Sequence, residues 1–396
     1  MLKVRRKHRQ SRNVLEAAIE RVEYCFKMFD TVSVSFSGGK DSTAVLNLAL
    51  DEARKRNKLP LRTIFFDEEA IHPTTIEYMD RISQRDDVAL EWYCLPVRHR
   101  NACSNEQPYW YCWNPDDKDL WVRPWPKLGI ATHPAFKFGM SIPELGPLLL
   151  ANNECCLQGI RTQESFRRYR MIALKGNDYF IARKGGRAYG YPIYDWSSED
   201  VWRLVQERHY DYNRTYDIFN RTKLYQDLLH QRVCPPYGEE PLRGLWIYAE
   251  CWPDLWHKML YRVRGVATAA RYGNTECYSV GGKPDSMTWQ DYCELQLSNY
   301  TEVEVQQKVR AQVRMGMNRH FNKTNEPIPD EEPHVLSGCC WKFLAKIAIK
   351  GDLKGRQLQM QEQGANQTMQ KRGMTLEETV AKHGHEKFKR AFAAAH

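Results

Sequence analysis

No stretch of this 396-residue chain reaches the run of about eighteen apolar residues that a membrane-spanning helix requires. A signal-peptide pattern is missing from its start. The expectation is a soluble, cytosolic protein. The twelve cysteines include no CxxC spacing and lie scattered among apolar or aromatic neighbours, with Cys155-Cys156 and Cys339-Cys340 as the vicinal pairs. In a reducing compartment they read as small buried hydrophobes. Internal repeats are absent too. Acids are lacking ahead of Glu16, whereas Lys3, Arg5, Arg6, Lys7, Arg9 and Arg12 supply six of the +9 net charges and leave +3 for everything else. Residues 1–12 are therefore a basic arm, either a solvated start or a contact for nucleic-acid phosphates.

What is present is an alternation of short apolar strands with amphipathic helices. Val14, Ala18, Val22, Cys25 and Phe29 keep helical spacing until Asp30-Thr31 breaks it. Strands are expected at 31–36, 61–66, 89–95 and 154–160, with helices at about 42–58 and 73–84 between the first three. Such alternation implies right-handed crossover units. The expected fold class is α/β, a doubly wound, mostly parallel sheet with a helical carboxyl-terminal extension. Between 106 and 147 Trp110, Trp113, Trp121 and Trp125 are interleaved with prolines and Asp116-Asp117, a long insertion that is either a lid or a surface-packed subdomain. Residues 178–183 and 187–193 flank Lys184-Gly185-Gly186 as a hairpin, and Ser197 or Ser198 caps a following helix. Past Tyr210 the chain reads as mostly helical, with a capping box at Thr375 to Glu378.

The junction Ser37-Gly-Gly-Lys-Asp-Ser42 follows an alternating strand and opens an apolar helix. A turn of this kind aims unpaired main-chain N–H groups at one spot, and the helix dipole favours an anion there. Gly38 and Gly39 let the backbone approach a ligand, Ser37 and Ser42 add hydroxyls, and Lys40 adds a positive charge suited to a phosphate oxygen. The GxxxxGK[ST] loop does not fit, because Val34 stands where its first glycine belongs and Asp41 follows the lysine. A γ-phosphate-transferring NTPase is thus disfavoured.

The same six residues resemble the PP-loop of the ATP pyrophosphatase superfamily, in the form seen in the phosphoadenosine phosphosulfate (PAPS) reductase family. Phe65-Phe-Asp-Glu-Glu-Ala-Ile-His-Pro73 looks like that family's second motif, with Glu68-Glu69 where many relatives carry Thr-Gly. Gly159-Ile-Arg-Thr-Gln-Glu-Ser-Phe-Arg-Arg168 resembles the third, and Tyr191 to Trp202 resembles a fourth, architectural motif. The wording around Trp110 to Pro126 and Trp341 to Asp352 is similar to the prophage co-activators of the immunoglobulin-binding-regulator type, a subgroup that comes with a ParB-like partner.

The resemblance implies an adenine nucleotide alpha hydrolase-like domain over 13–220 and a helical region over 221–396. It implies ATP held by Ser37, Gly38, Gly39, Lys40, Asp41, Ser42, Asp67, Gly159 and Ser165, and Mg²⁺ near Asp41, Asp67 and Glu68. Lys40, Asp41, Arg161, Arg167 and Arg168 are the implied catalytic residues, acting by charge neutralisation on a bond between the α- and β-phosphates while an acceptor is adenylated, for sulfur transfer or nucleic-acid modification. Four arginines between 161 and 170 also fit a solvated face paired with Glu164.

Three other readings stay open. Sulfonucleotide reduction needs a mobile reactive cysteine. The family's reductases carry it in a Glu-Cys-Gly tail, and here no cysteine follows Cys340. A metal cluster could use Cys94, Cys103 and Cys112 with His99, or Cys155-Cys156, although neither spacing is a recognised ligand pattern. A nucleotide-sensing regulator would work through DNA or the ParB-like partner.

Overall fold

The computed structural model describes residues 11–104, 106–173, 180–184, 187–222, 231–238, 241–272, 283–300, 302–353, 355 and 357–395. Most of the basic arm and the Gly185-Gly186 turn lie outside them. The chain divides into two compact units that interleave in sequence. The first holds residues up to 99, 109–236 and 247–262, and the second holds 100–108, 237–246 and 263–396.

In the first unit, helix α1 (Val14–Met28) starts on an Asn13–Glu16 capping box and leads into strand β1 (Thr31–Ser35). Then come α2 (Lys40–Lys55), β2 (Leu61–Phe66), α3 (Pro73–Ser83) and β3 (Val88–Tyr93). Four more strands complete the sheet: β4 (Gly129–Ile130), β5 (Glu154–Gln158), β6 (Ile181–Lys184) and β7 (Arg187–Gly190). The order is β4-β3-β2-β1-β5-β7-β6, with every pairing parallel except β6 with β7. This is the expected α/β class. Strand β4, two residues inside the tryptophan-rich insertion, extends one edge beyond the strands anticipated from sequence.

The strand order changes direction at β1. Successive crossovers carry the chain from β1 to β2 and β3 on one side, whereas β5 adds on the other. In open α/β sheets the crevice for a ligand forms where the carboxyl ends of two such diverging strands part. Those ends are Ser35 of β1 and Gln158 of β5, which are register partners. Phe36 and Val34 are buried, and the β1 centre is tied by Ser33 Oγ donating to Glu154 Oε1 at 2.5 Å. Arg62 also donates to Glu154, at 2.7 Å, so the opposite end of the sheet is closed by its own ion pair.

The insertion packs by its aromatic rings. Trp110 and Trp113 are buried, and Trp121 and Trp125 meet the Trp113 ring edge-on at 5.1 and 5.2 Å. The second unit is helical among its described residues. Its helices include Trp289–Ser298, Val303–Phe321, Trp341–Lys350 and Gln361–Lys371, followed by Leu376–His383 on the expected Thr375 capping box and by Glu386–Ala395.

Candidate nucleotide site

The loop after β1 is an anchored turn that needs glycine. Gly38 has φ +71°, a region that side-chain-bearing residues enter at a cost of about 1 kcal/mol or more. Its carbonyl accepts from Asn213 Nδ2 at 3.0 Å, and the same nitrogen donates to Thr75 Oγ1 at 2.9 Å. Gly39 is the N-cap of α2 and offers no side-chain cap, so α2 begins at Lys40 rather than Ser42. Ser42 Oγ donates to the Gly39 carbonyl at 2.9 Å and lies 3.2 Å from Ser37 Oγ. The two serines therefore brace the turn from inside. The Lys40 amide donates to the buried Tyr216 hydroxyl at 2.9 Å.

The loop after β5 docks on this turn. A Cβ on Gly159 would stand 2.6 Å from the Asp41 carbonyl carbon and 2.7 Å from the Ser42 nitrogen, so only glycine lets the two backbones touch. Two residues on, Arg161 is fully buried. Its Nε donates to Asp41 Oδ1 at 2.6 Å, Nη1 to Gln163 Oε1 at 3.0 Å and Nη2 to Ser198 Oγ at 3.1 Å. Asp41 Oδ2 lies 3.5 Å from Lys40 Nζ. Lys40 is 1 % exposed, and burial pulls its pKa down from the ordinary lysine value, with Asp41 opposing.

A second carboxylate, Glu164, pairs with Arg168 and lies 3.7 Å from Arg232 Nε, and its Oε2 accepts from the Arg161 amide at 3.4 Å. Lys40 and Arg161 thus share Asp41, and Arg168 and Arg232 share Glu164, which gathers four cationic side chains around the turn.

The remaining anticipated residues scatter. Ser165 Oγ accepts from the Arg168 amide at 3.2 Å and so serves the start of the helix Phe166–Ala173. Arg167 is exposed on that helix. Asp67, expected beside the loop, has its carboxylate engaged by Trp92 Nε1 at 2.7 Å, Trp113 Nε1 at 3.2 Å, Arg123 and the Glu69 amide. Glu68 lies 3.3 Å from His99 Nδ1. Glu69 is wholly buried and accepts from Arg262 at 2.8 and 3.0 Å. The acidic run thus pins the tryptophan insertion to the tip of β2. Tyr216, Asn213, Gln231 and Arg232 were missed, and the sequence signal for them amounts to the Tyr- and Arg-rich character of the segment after Tyr210.

Beside the loop's anchor, His72 caps α3 ahead of Pro73. Its ring stacks on Tyr248 at 4.8 Å and meets Phe219 and Trp252 at 5.6 and 5.7 Å. Burial pushes its pKa down to about 3, so it stays neutral in the fold while the unfolded chain binds a proton below its ordinary value near 6.5. Its contribution to stability is present above about 6.5 and falls steadily as pH drops toward about 3. At pH 5 the loss is about 2 kcal/mol. Urea titrations should show wild type losing about that much more than His72→Phe between pH 7 and pH 5; equal losses would mean the imidazole is hydrated in the fold.

A family model described as the phosphoadenosine phosphosulfate reductase domain matches residues 31–286, about two thirds of the chain and all of the loop just built. The chain belongs to that family. Uncharacterized protein YbdN of Escherichia coli (strain K12) is 30% identical over 366 residues, covering 86% of this chain and 88% of that one. Among solved structures, the PAPS reductase of Candida auris in phosphate complex matches at 14% identity and TM-score 0.31, covering 53% of this chain and 93% of that one. Candida glabrata FMN adenylyltransferase matches at 15% identity and TM-score 0.33, covering 53% and 62%.

Thiol chemistry finds little support in this PAPS reductase family member. Cys339 and Cys340 are buried, and burial raises both thiols above the ordinary cysteine value. Cys340 instead caps the helix Trp341–Lys350. Cys156 is pushed up to about 12 by burial, and Cys155, raised further by a hydrogen bond with Cys25, lies beside it on β5. Thiols held this way are poor nucleophiles and poor ligands.

Among the described residues the group with metal-ligand proximity is Glu326, His334 and His383, whose donor atoms lie within 4.8 Å of one another. Its protons are already assigned by its partners. His334 Nδ1 accepts from the Leu336 and Ser337 amides at 3.3 Å each, so Nε2 carries the proton and donates to Glu326 Oε2 at 2.9 Å. A metal on Nε2 would force a proton onto Nδ1, facing two N–H groups. The cluster is a hydrogen-bonded brace for the helix Leu376–His383, through His383 Nδ1 and Glu326 Oε1 at 2.9 Å.

Proposed function

We propose that the chain binds ATP at the Ser37–Ser42 turn and joins its AMP moiety to an acceptor, releasing pyrophosphate. The observation that carries this reading is the seat itself: a helix start whose N-cap is a glycine with no capping side chain, at the switch point of the sheet, with Lys40, Arg161, Arg168 and Arg232 gathered around it. A polyphosphate is the anion that such a concentration of positive charge at a helix start suits.

The division of labour follows from position. Lys40 and the α2 amides hold the two outer phosphates, and Arg161 keeps Asp41 from competing for Lys40 by taking its other oxygen at 2.6 Å. With the outer phosphates fixed, the α-phosphorus is left open to in-line attack. An acceptor lone pair forms the new bond to phosphorus, the bond from phosphorus to the bridging oxygen breaks, and its electron pair leaves with pyrophosphate, while the acceptor's proton passes to solvent. No covalent enzyme intermediate is needed; the cations stabilise the leaving group as its charge grows.

Asp41 is the carboxylate that fits magnesium, since its side chain is partly open at 14 % and stands at the turn. Asp67 does not fit, because protein donors already fill its carboxylate, and Glu68 faces His99 at 3.3 Å. Bound with the triphosphate, magnesium would supply charge neutralisation on the outer phosphates.

The test is incubation of the purified chain with α-labelled ATP, magnesium and candidate nucleophiles, including tRNA, DNA and small thiols. Label recovered as AMP or as an adenylated acceptor, matched by pyrophosphate, is the expected result. Recovery of ADP with orthophosphate would place the cleavage at the wrong bond and end the proposal.

A further inference from the structure

The Lys40 ammonium does not wait in open space. It donates to the main-chain carbonyl of Gln231 at 2.9 Å, across a separation of nearly two hundred residues in sequence. Gln231 is 2 % exposed; its Nε2 donates to Asn220 Oδ1 at 2.6 Å, while its buried Oε1 has no hydrogen-bond partner. The next residue, Arg232, donates through Nη2 to the Glu164 main-chain carbonyl at 2.7 Å and places Nε 3.7 Å from the Glu164 carboxylate, which Arg168 already occupies. Cys234 follows, partly exposed, ahead of Pro235 and Pro236.

We propose that Arg232 is a further polyphosphate ligand of this site, stored on Glu164 until nucleotide arrives, and that the Gln231 carbonyl keeps the place of a phosphate oxygen on Lys40. The inference rests on the nucleotide reading above. A neutral carbonyl is a weak partner for a buried ammonium, and a phosphate oxygen makes a charge-assisted bond about twice as strong. Exchange is therefore downhill for Lys40. Arg232 can gain in the same step: it now donates to a neutral carbonyl and shares the Glu164 carboxylate with Arg168, whereas a phosphate accepts two parallel guanidinium bonds. The unpartnered Gln231 Oε1 marks the strand of chain 231–236 as imperfectly satisfied where it now lies. Because Lys40 and Arg232 also repel one another, an anion between them removes a cost as well as adding contacts.

The experiment uses the full chain with MgATP as the probe. Arg232→Ala should weaken MgATP binding about tenfold, with Arg232→Lys recovering part of the loss, since the charge returns without the fork. Cys234 reports the exchange directly. Its rate of alkylation by N-ethylmaleimide, read by peptide mass spectrometry, should change about threefold or more when MgATP saturates the wild type, with exposed Cys251 as the internal reference. An Arg232→Ala variant that binds MgATP as wild type does, or a Cys234 rate indifferent to bound MgATP, overturns the inference and leaves the nucleotide reading standing. A wild type that binds no MgATP removes both.

Discussion

Replacing Arg161 with alanine should cost the folded chain about 3–5 kcal/mol, the range for breaking a buried ion pair by removing one partner. The side chain is wholly buried, so no water can take over from it. Asp41 would keep a single contact, Lys40 at 3.5 Å, while the Trp196 carbonyl and the Ser198 hydroxyl lose the guanidinium that now stands 3.4 and 3.1 Å away. Arg161→Lys should fall between, because an ammonium cannot reach Asp41, Gln163 and Ser198 together. The informative comparison is the double variant Arg161→Met with Asp41→Asn. A neutral filling of similar volume removes the orphaned charge as well as its partner, so it should lose less than Arg161→Ala alone. Urea titration followed by tryptophan fluorescence measures these variants together with the singles Arg161→Met and Asp41→Asn. A double variant that loses the sum of the two singles would mean that Arg161 and Asp41 do not act as a pair.

That pair also shows how far the sequence can be read. The strand, the glycine turn and the helix are local in sequence, and their signals agree: alternating apolar residues in Val32 to Phe36, glycines at 38 and 39, then an amphipathic run, so β1 and α2 fall within about three residues of expectation. The same holds for β2, β3, β5 and the β6–β7 hairpin. Strand β4 escaped because two residues carry no periodicity and sit among prolines and tryptophans. Asp67 shows a different limit. Its place at the tip of β2 was visible, but its partners Trp92, Trp113 and Arg123 come from elsewhere in the fold, and they decide which charge its carboxylate meets. Tyr216, Asn213 and Arg232 reach the loop over more than a hundred and seventy residues for the first two and through Glu164 for the third. Contacts that long carry no spacing rule, so only a folded chain reveals them.

Lys40 separates stability from function in the opposite sense to Arg161. Burial pulls its pKa down, which means that the fold disfavours the charged form relative to water. Asp41 offsets only part of that, and Arg161 remains to hold Asp41 when Lys40 is gone. Lys40→Met fills the same volume without a charge, so the folded chain should be as stable as wild type or more so. Nucleotide binding should respond the other way. Truncating one member of a desolvated charge pair costs about 2–5 kcal/mol, so MgATP affinity should fall about a hundredfold or more. Calorimetric titration with MgATP and a urea titration of the same preparation measure the two quantities independently. Strong binding by Lys40→Met would show that the turn after β1 does not seat the phosphates. A loss of stability matching the loss of affinity would instead make Lys40 a structural ion, and the cluster of cationic side chains at the turn would then need an explanation other than a bound anion.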